Sequence, residues 1–264
     1  MKILVAVKQV ATLDEDFVIG ADGRDVDPDF LIRDLNEWDD FSLEEAVKIK
    51  EASTDPVDVV VVTVGPEEAD EALRKCLAKG ADRAIRVWDE AADSDPIAIA
   101  RMLAAVARKE APDMIFAGVQ SSDHGFASTG IATAGFLGWP NGAVVATLAY
   151  SPGAKTANFS RELEGGLLHQ VQIQCPAVLT IQAGINTPRY ASLRSIKQAA
   201  AKPIEILSLG DIGISADDVG ERGSLSHVRR MYIPDKGRAQ LIEGSAADQA
   251  KRLAEIIREF KGEA

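Results

Sequence analysis

Short, nearly unbroken apolar runs, each closed by a turn and followed by a helical pattern, constrain this chain more than any other feature. Asp58-Val-Val-Val-Val-Thr-Val64 is the clearest. A strand with one wet face alternates apolar and polar residues. A run that does not alternate is buried on both faces, as in a parallel sheet covered by helices. Lys2 to Lys8 reads the same way. After Gly65-Pro66 the rhythm repeats, with a helix from Glu67 to Lys79, a strand from Ala84 to Trp88, a helix from Pro96 to Lys109 and a strand ending at Gly118. Strands alternating with helices require right-handed crossovers, so the expected fold class is α/β, a doubly wound and mostly parallel sheet.

Two segments depart from this rhythm. Between the first strand and the first helix lies an acidic stretch read as a loop, with turn composition at Ile19-Gly-Ala-Asp-Gly23. The helix that follows is expected from Leu43 to Glu51, with Ser42 as cap and Glu45 in the capping-box position. After Pro140, three strands follow without helices, at Ala143 to Tyr150, Thr156 to Leu163 and Leu167 to Cys175, with a hairpin turn at Gly165-Gly166. Val171, Ile173 and Cys175 alternate with Gln170, Gln172 and Gln174, so this antiparallel excursion has one solvated face. Ala177 to Ile181 is apolar again and is expected to rejoin the main sheet. The expected organisation is an α/β domain over 1–185, a distinct segment over 186–206, and an extension over 207–264 ending in a helix from about Ser245 to Phe260. Such an extension has little apolar mass of its own and is expected to pack on another subunit.

Charge and cysteine usage remove several function classes. The net charge of −12 argues against nucleic-acid or anionic-membrane binding. Cys76 and Cys175 lack paired spacing and His124, His169 and His227 are isolated, so neither a disulfide framework nor a metal motif is indicated. No run approaches the roughly 20 apolar residues that span a bilayer, and the apolar start is too short for a signal peptide, so a cytoplasmic protein without membrane insertion is expected. Against the acidic background, residues 186–202 carry Arg189, Arg194, Lys197 and Lys202 with no acid. Such an island either steers an acidic partner or is a solvated helix face.

The most informative stretch for function begins at Asp113-Met-Ile-Phe-Ala-Gly-Val-Gln120 and continues through a Ser/Asp/Gly/Thr-rich turn into a helix rich in Ala and Gly. A buried strand that delivers the chain to a helix N-terminus makes an anion site. Unpaired amides and the positive end of the dipole face the ligand, and small side chains let it approach. Ser128 and Thr129 would add hydroxyl donors. The residues alone also allow a helix capped by Asp123 or Ser128 with no ligand.

Several blocks, taken in order, resemble one family. They are Ile3 to Lys8, Leu77-Ala-Lys-Gly-Ala-Asp-Arg83, Thr129 to Pro140, Glu164-Gly-Gly166, Cys175-Pro-Ala-Val178 and Asn186-Thr-Pro-Arg-Tyr-Ala-Ser-Leu193. The family is the β subunit of electron-transfer flavoprotein, and the similarity runs from residue 1 to about 206. The resemblance implies an electron carrier without its own substrate turnover. It would be a heterodimer with an α subunit that holds most of one FAD, with AMP bound in the β subunit. A soluble flavin dehydrogenase would be the donor and a quinone-linked oxidoreductase the acceptor. Carried over by position, the implied AMP contacts are Ala6, Asn36, Glu37, Trp38, Asp39, Val64, Asp123, Gly125, Phe126, Ala127, Ser128, Thr129, Gly130, Thr133 and Ala134. Leu13 and Trp38 would lie near the flavin. Two departures stand out: the usual acids followed by Gln-Thr-Gly are replaced by Asp123-His-Gly-Phe-Ala-Ser128-Thr-Gly130, and Leu13 stands where an aromatic is common.

The resemblance also implies that Tyr190, Leu193 and Ile196 recognise the dehydrogenase, with Leu193 as an apolar anchor. On spacing alone, Leu193, Ile196 and Ala200 would equally form the buried face of a small helix. Two further functions remain open from the sequence. One is a bifurcating or nitrogen-fixation type flavoprotein with a second FAD in place of AMP. The other is an ATP-binding or ATP-hydrolysing α/β domain, although no P-loop lysine motif is present.

Overall fold

The computed structural model describes all residues except 14–15, 90–93, 235–236, 238, 240 and 263–264. The central parallel strands are β1 (Lys2–Ala6), β4 (Asp58–Val64), β5 (Arg83–Val87) and β6 (Met114–Gly118), preceded in chain order by β2 (Gln9–Leu13) and β3 (Leu31–Leu35). Beyond them come β7 (Asn141–Ala149), β8 (Thr156–Glu162), β9 (Leu168–Gln174), β10 (Ala177–Ile181) and β11 (Ile204–Leu207). The large sheet runs β11-β5-β4-β1-β6-β10-β7-β8-β9. It is parallel from β11 to β7 and antiparallel through β8 and β9.

The non-alternating runs are buried on both faces, as their composition requires. Ile3, Val5, Val59 and Val61 point into one core with α1 (Glu37–Ala52) and α2 (Asp70–Lys79), while Leu4, Val60 and Val62 point into another with α3 (Pro96–Glu110) and α4 (Thr129–Leu137). α5 (Leu193–Ala201) joins the α1/α2 side through buried Ala199. α3 starts sharply because Asp95 accepts from the amides of Ile97 and Ala98 and Pro96 fills the first turn.

Three features differ from the sequence reading. First, α1 begins at Glu37 with Asn36 at its cap position; Ser42 lies inside the helix, fully buried, and its Oγ donates back to the Trp38 carbonyl at 3.0 Å. The Glu37, Asp39 and Asp40 side chains that suggested a loop are the acidic first turn of a helix, where they meet its positive end. Second, part of the acidic stretch is ordered as an antiparallel ribbon of β2 and β3. Third, the chain stays with the domain beyond residue 206: β11 pairs with β5, and Leu207, Leu209 and Val219 are buried against the α3 side.

Residues 1–229 make one compact unit, which includes the short α6 (Gly220–Gly223), and residues 230–264 make a second. The second contains α7 (Ala246–Lys261), opened by a capping box in which Ser245 and Asp248 satisfy each other's backbone amides. Leu253, Ile257 and Phe260 recur at helical spacing along it and are exposed.

Candidate functional site

Starting from β1, the chain builds outward to β4 and β5 on one side, then crosses to β6 on the other. This makes β1/β6 the topological switch point, where open α/β sheets take ligands at the carboxyl ends of their strands. A cleft of about 300 Å³ lies there. Ala6 to Lys8, Val64 to Pro66 and Ala117 to Ser121 reach it from three strand ends, and Phe126 to Gly130 close it.

Two side chains from the first turn of α1 set the geometry. Asp39 accepts from the amide of Lys8 at 2.8 Å and from the amide of Gly118 at 2.9 Å, so one carboxylate clasps the ends of β1 and β6. Burial pushes this carboxyl up to about 7, against those hydrogen bonds and nearby Lys8, which favour the charged form. Gly118 has no alternative here, since a Cβ would come within 2.5 Å of Asp39 Oδ1 and 2.6 Å of Trp38 Cβ. Asn36, also buried, donates to the Gln120 carbonyl at 2.9 Å and accepts from the Ser122 amide at 3.2 Å, fixing the loop that leaves β6.

That loop leads to α4. Gly125 and Ala127 both adopt left-handed backbone, with φ of 63° and 51°, and Ala127 does so despite its Cβ. Ser128 occupies the cap position, yet its side chain makes no capping hydrogen bond. Asp123 does not cap either, since its carboxylate receives Lys8 Nζ at 2.6 and 2.8 Å. Burial raises the Asp123 carboxyl, but the hydrogen bonds from Lys8 and Ser121 outweigh this and hold it below the usual aspartate value. Lys8 also donates to His124 Nδ1 at 3.2 Å. Among the described residues, therefore, nothing in the protein satisfies the amides of Thr129, Gly130 and Ile131. With Lys8 neutralised by Asp123, the positive potential facing an anion comes from the helix end itself.

The other half of the cleft is apolar. Val64, Pro66, Trp88, Pro96, Ile99 and Leu103 form its wall, a surface suited to a flat heterocycle. Hydroxyl-, amide- and apolar-lined halves meeting in one cleft can hold an amphiphilic anion such as a nucleotide. Among the described residues, no group of three or more His, Cys, Asp or Glu could hold a metal ion.

Of the residues carried over by resemblance, Ala6, Asn36, Asp39, Val64, Phe126, Ala127, Ser128, Thr129 and Gly130 line the cleft. The others stand back from it. Glu37 is exposed. Trp38 is half-buried, its Nε1 donating to Gln182 Oε1 at 3.3 Å. Gly125 supplies its turn, Thr133 Oγ1 donates to the Thr129 carbonyl at 2.8 Å, and Ala134 packs in the α3 core. Leu13, exposed on β2, does not line the cleft. Lys8, Pro66, Trp88, Ile99, Ser121 and His124 line it without having been singled out; Lys8, Pro66 and Trp88 follow directly from the rule that ligands sit at strand ends.

On the same side as α1 and α2, the segment before α5 is clamped. Arg189 donates to both Glu44 oxygens at 2.8 and 3.0 Å and to both Glu51 oxygens at 2.6 and 2.9 Å. Asn186 donates to Glu45 at 2.9 Å. α5 turns Ala199 inward and leaves Leu193 81% and Ile196 48% exposed, with Tyr190 at 98%. Leu193, Ile196 and Ala200 thus do not form a buried helix face.

Fold and cleft together define a doubly wound α/β domain with a cleft at its switch point. The chain belongs to the electron transfer flavoprotein family, as a beta subunit. The family model described as "Electron transfer flavoprotein domain" matches residues 33–212. The chain is 67% identical over 263 residues to the electron transfer flavoprotein subunit beta of Methylophilus methylotrophus, covering 99% of this chain and 100% of that protein. It is 35% identical over 266 residues to the subunit of the same name from Bradyrhizobium diazoefficiens, covering 100% and 99%. To the Homo sapiens subunit beta it is 36% identical over 217 residues, covering 81% and 84%.

Proposed function

We propose that this chain is the small subunit of a heterodimeric electron carrier and that its cleft holds AMP. The observation that carries the nucleotide reading is the open first turn of α4, whose amides have no partner among the described residues while both candidate caps are engaged or idle. In this reading the phosphate rests on Thr129, Gly130 and Ile131 and the adenine lies against Trp88, Pro66 and Ile99. A cleft of about 300 Å³ favours a mononucleotide over a second FAD, which has more than twice as many atoms.

FAD, held mainly by the partner alpha subunit, supplies the redox chemistry when bound. This chain's share is to border the flavin with Leu13 and Trp38 and exclude water there; the hydrogen bond to Gln182 fixes the indole edge. The exposed Leu253, Ile257 and Phe260 of α7 suit burial against the alpha subunit. The exposed Leu193, supported by Ile196 and Tyr190, is the anchor for a soluble flavin dehydrogenase. One buried leucine contributes about 1.5–3 kcal/mol, enough for a transient redox encounter that must also release. Electrons then pass to a quinone-linked oxidoreductase, and the setting is the cytoplasm.

The test is to co-express the chain with the alpha subunit, purify the complex, and quantify every bound nucleotide after denaturing extraction. One FAD and one AMP per heterodimer is the expected result. Two FAD would replace AMP by a second flavin in this cleft, and bound ATP without flavin would overturn the carrier reading.

A further inference from the structure

We propose that the protein surface which receives α5 is an apolar socket rimmed by carboxylates. The inference rests on the reading of Leu193 as a recognition anchor and adds the charge of the partner. Of the four basic residues in the island over 186–202, two are already spent. Arg189 is clamped by Glu44 and Glu51, and Lys202 Nζ donates to the Ala81 carbonyl at 2.9 Å. Arg194 and Lys197 remain, both exposed and without a salt bridge or hydrogen bond among the described residues.

Their placement is specific. Leu193 and Lys197 are one helical turn apart, as are Arg194 and Lys197, so Lys197 lies beside the apolar anchor and Arg194 follows it on the same side. Leu193, Arg194, Lys197, Gln198 and Ala201 line a shallow surface depression there. The orientation of this face is fixed from behind. Ala199 is buried, and the Arg74 guanidinium donates to the carbonyls of Ala199 and Lys202.

Helix stability does not account for Arg194. It lies in the first turn of α5, which holds no acidic residue, and a cation is unfavourable beside the positive end of a helix. The helix end therefore adds to the positive potential of Arg194 and Lys197. On a chain with a net charge of −12, this is a local reversal of sign around an exposed leucine. Charges at the rim of an interface act mainly on the encounter rate and on the choice of partner.

The experiment uses the intact heterodimer and, as probe, a substrate-reduced soluble flavin dehydrogenase purified by its ability to reduce that heterodimer. Flavin reduction is followed by stopped flow as salt rises from about 0.01 M to 0.15 M, which shortens the screening length from about 30 Å to 8 Å. The wild-type second-order rate should fall steeply with salt. The double variant Arg194→Glu with Lys197→Glu should be slower by about tenfold or more at low salt, with a flat or reversed salt dependence. The charge-conserving pair Arg194→Lys with Lys197→Arg should behave as wild type, and flavin content should be unchanged in all. A charge-reversed variant that keeps the wild-type rate and salt slope would overturn the acidic rim. Leu193→Ala separates the two readings. If it slows reduction while charge reversal does nothing, only the rim is wrong; if it too leaves reduction unchanged, α5 is not the recognition element.

Discussion

Asp39 is a carboxylate shared by two strands, and its titration is tied to the shape of the cleft. Burial is the dominant influence and pushes its carboxyl up to about 7 from the ordinary 3.8, although two backbone amides and the Asn36 side chain hydrogen-bond to it. An acid whose folded value is raised binds its proton more tightly in the folded state than in the unfolded one. Below about pH 4 both states are protonated, and as pH rises toward 7 the unfolded state loses its proton first, so stability falls across that window. The expected loss is up to a few kcal/mol. Asp39→Asn cannot titrate, and it can accept only one of the two amides through its Oδ1. The variant should be less stable than wild type at low pH by about 1–3 kcal/mol, with the difference closing as pH approaches 7. Urea midpoints measured at stepped pH check this; curves that stay parallel would assign the wild-type slope to other groups.

At the scale of elements, α1 has two duties. Its first turn holds the cleft through Asn36 and Asp39, and its later turns hold the segment before α5 through Glu44, Glu45 and Glu51. The Glu44 side chain is only 9% exposed, so removing its partner leaves a nearly buried charge uncompensated. Arg189→Ala should cost about 1–3 kcal/mol, discounted because the guanidinium and Glu51 are partly solvated. Limited proteolysis should then cut within 186–192 much faster than in wild type, and an unchanged digestion pattern would show that the ion pairs do not fix the segment. This element also shows what the sequence could and could not disclose. β4 is legible because six successive apolar or β-branched residues admit few alternatives. The start of α1 is not, because Asn36, Glu37 and Asp39 have the composition of a loop until the amides of Lys8 and Gly118 give Asp39 its partners. β11 is equally hidden: Ile204-Glu-Ile-Leu207 is short, and only the free edge of β5 makes it a strand. In the cleft, the turn before α4 is legible as a local pattern, whereas Ile99 and Leu103 enter only when the sheet brings distant segments together.

For the molecule as a whole, the cleft links stability to ligand. It joins the ends of β1, β4 and β6 to the start of α4, so a nucleotide bound there holds several elements at once. Ligand that binds only the folded state at a hundredfold excess over its Kd adds about 2.7 kcal/mol. Stripping nucleotide from the purified complex should lower Tm by about 5–10 °C, and adding AMP back should restore it. Calorimetry with and without AMP checks this, and a Tm indifferent to AMP would remove its structural role. The ribbon of β2 and β3 stands apart from this linkage. The chain departs after Lys8 and returns at Asn36, and the Asn36 amide donates to the Lys8 carbonyl at 2.9 Å. A segment whose two ends already meet is a graft on the sheet. Its closure entropy changes only slowly with length. The connection between β2 and β3 can therefore be lengthened or trimmed without moving Lys8 or Asn36, which leaves its surface free to be rewritten, by selection or by an engineer, while Leu13, Asn36 and the cleft at the strand ends keep their places.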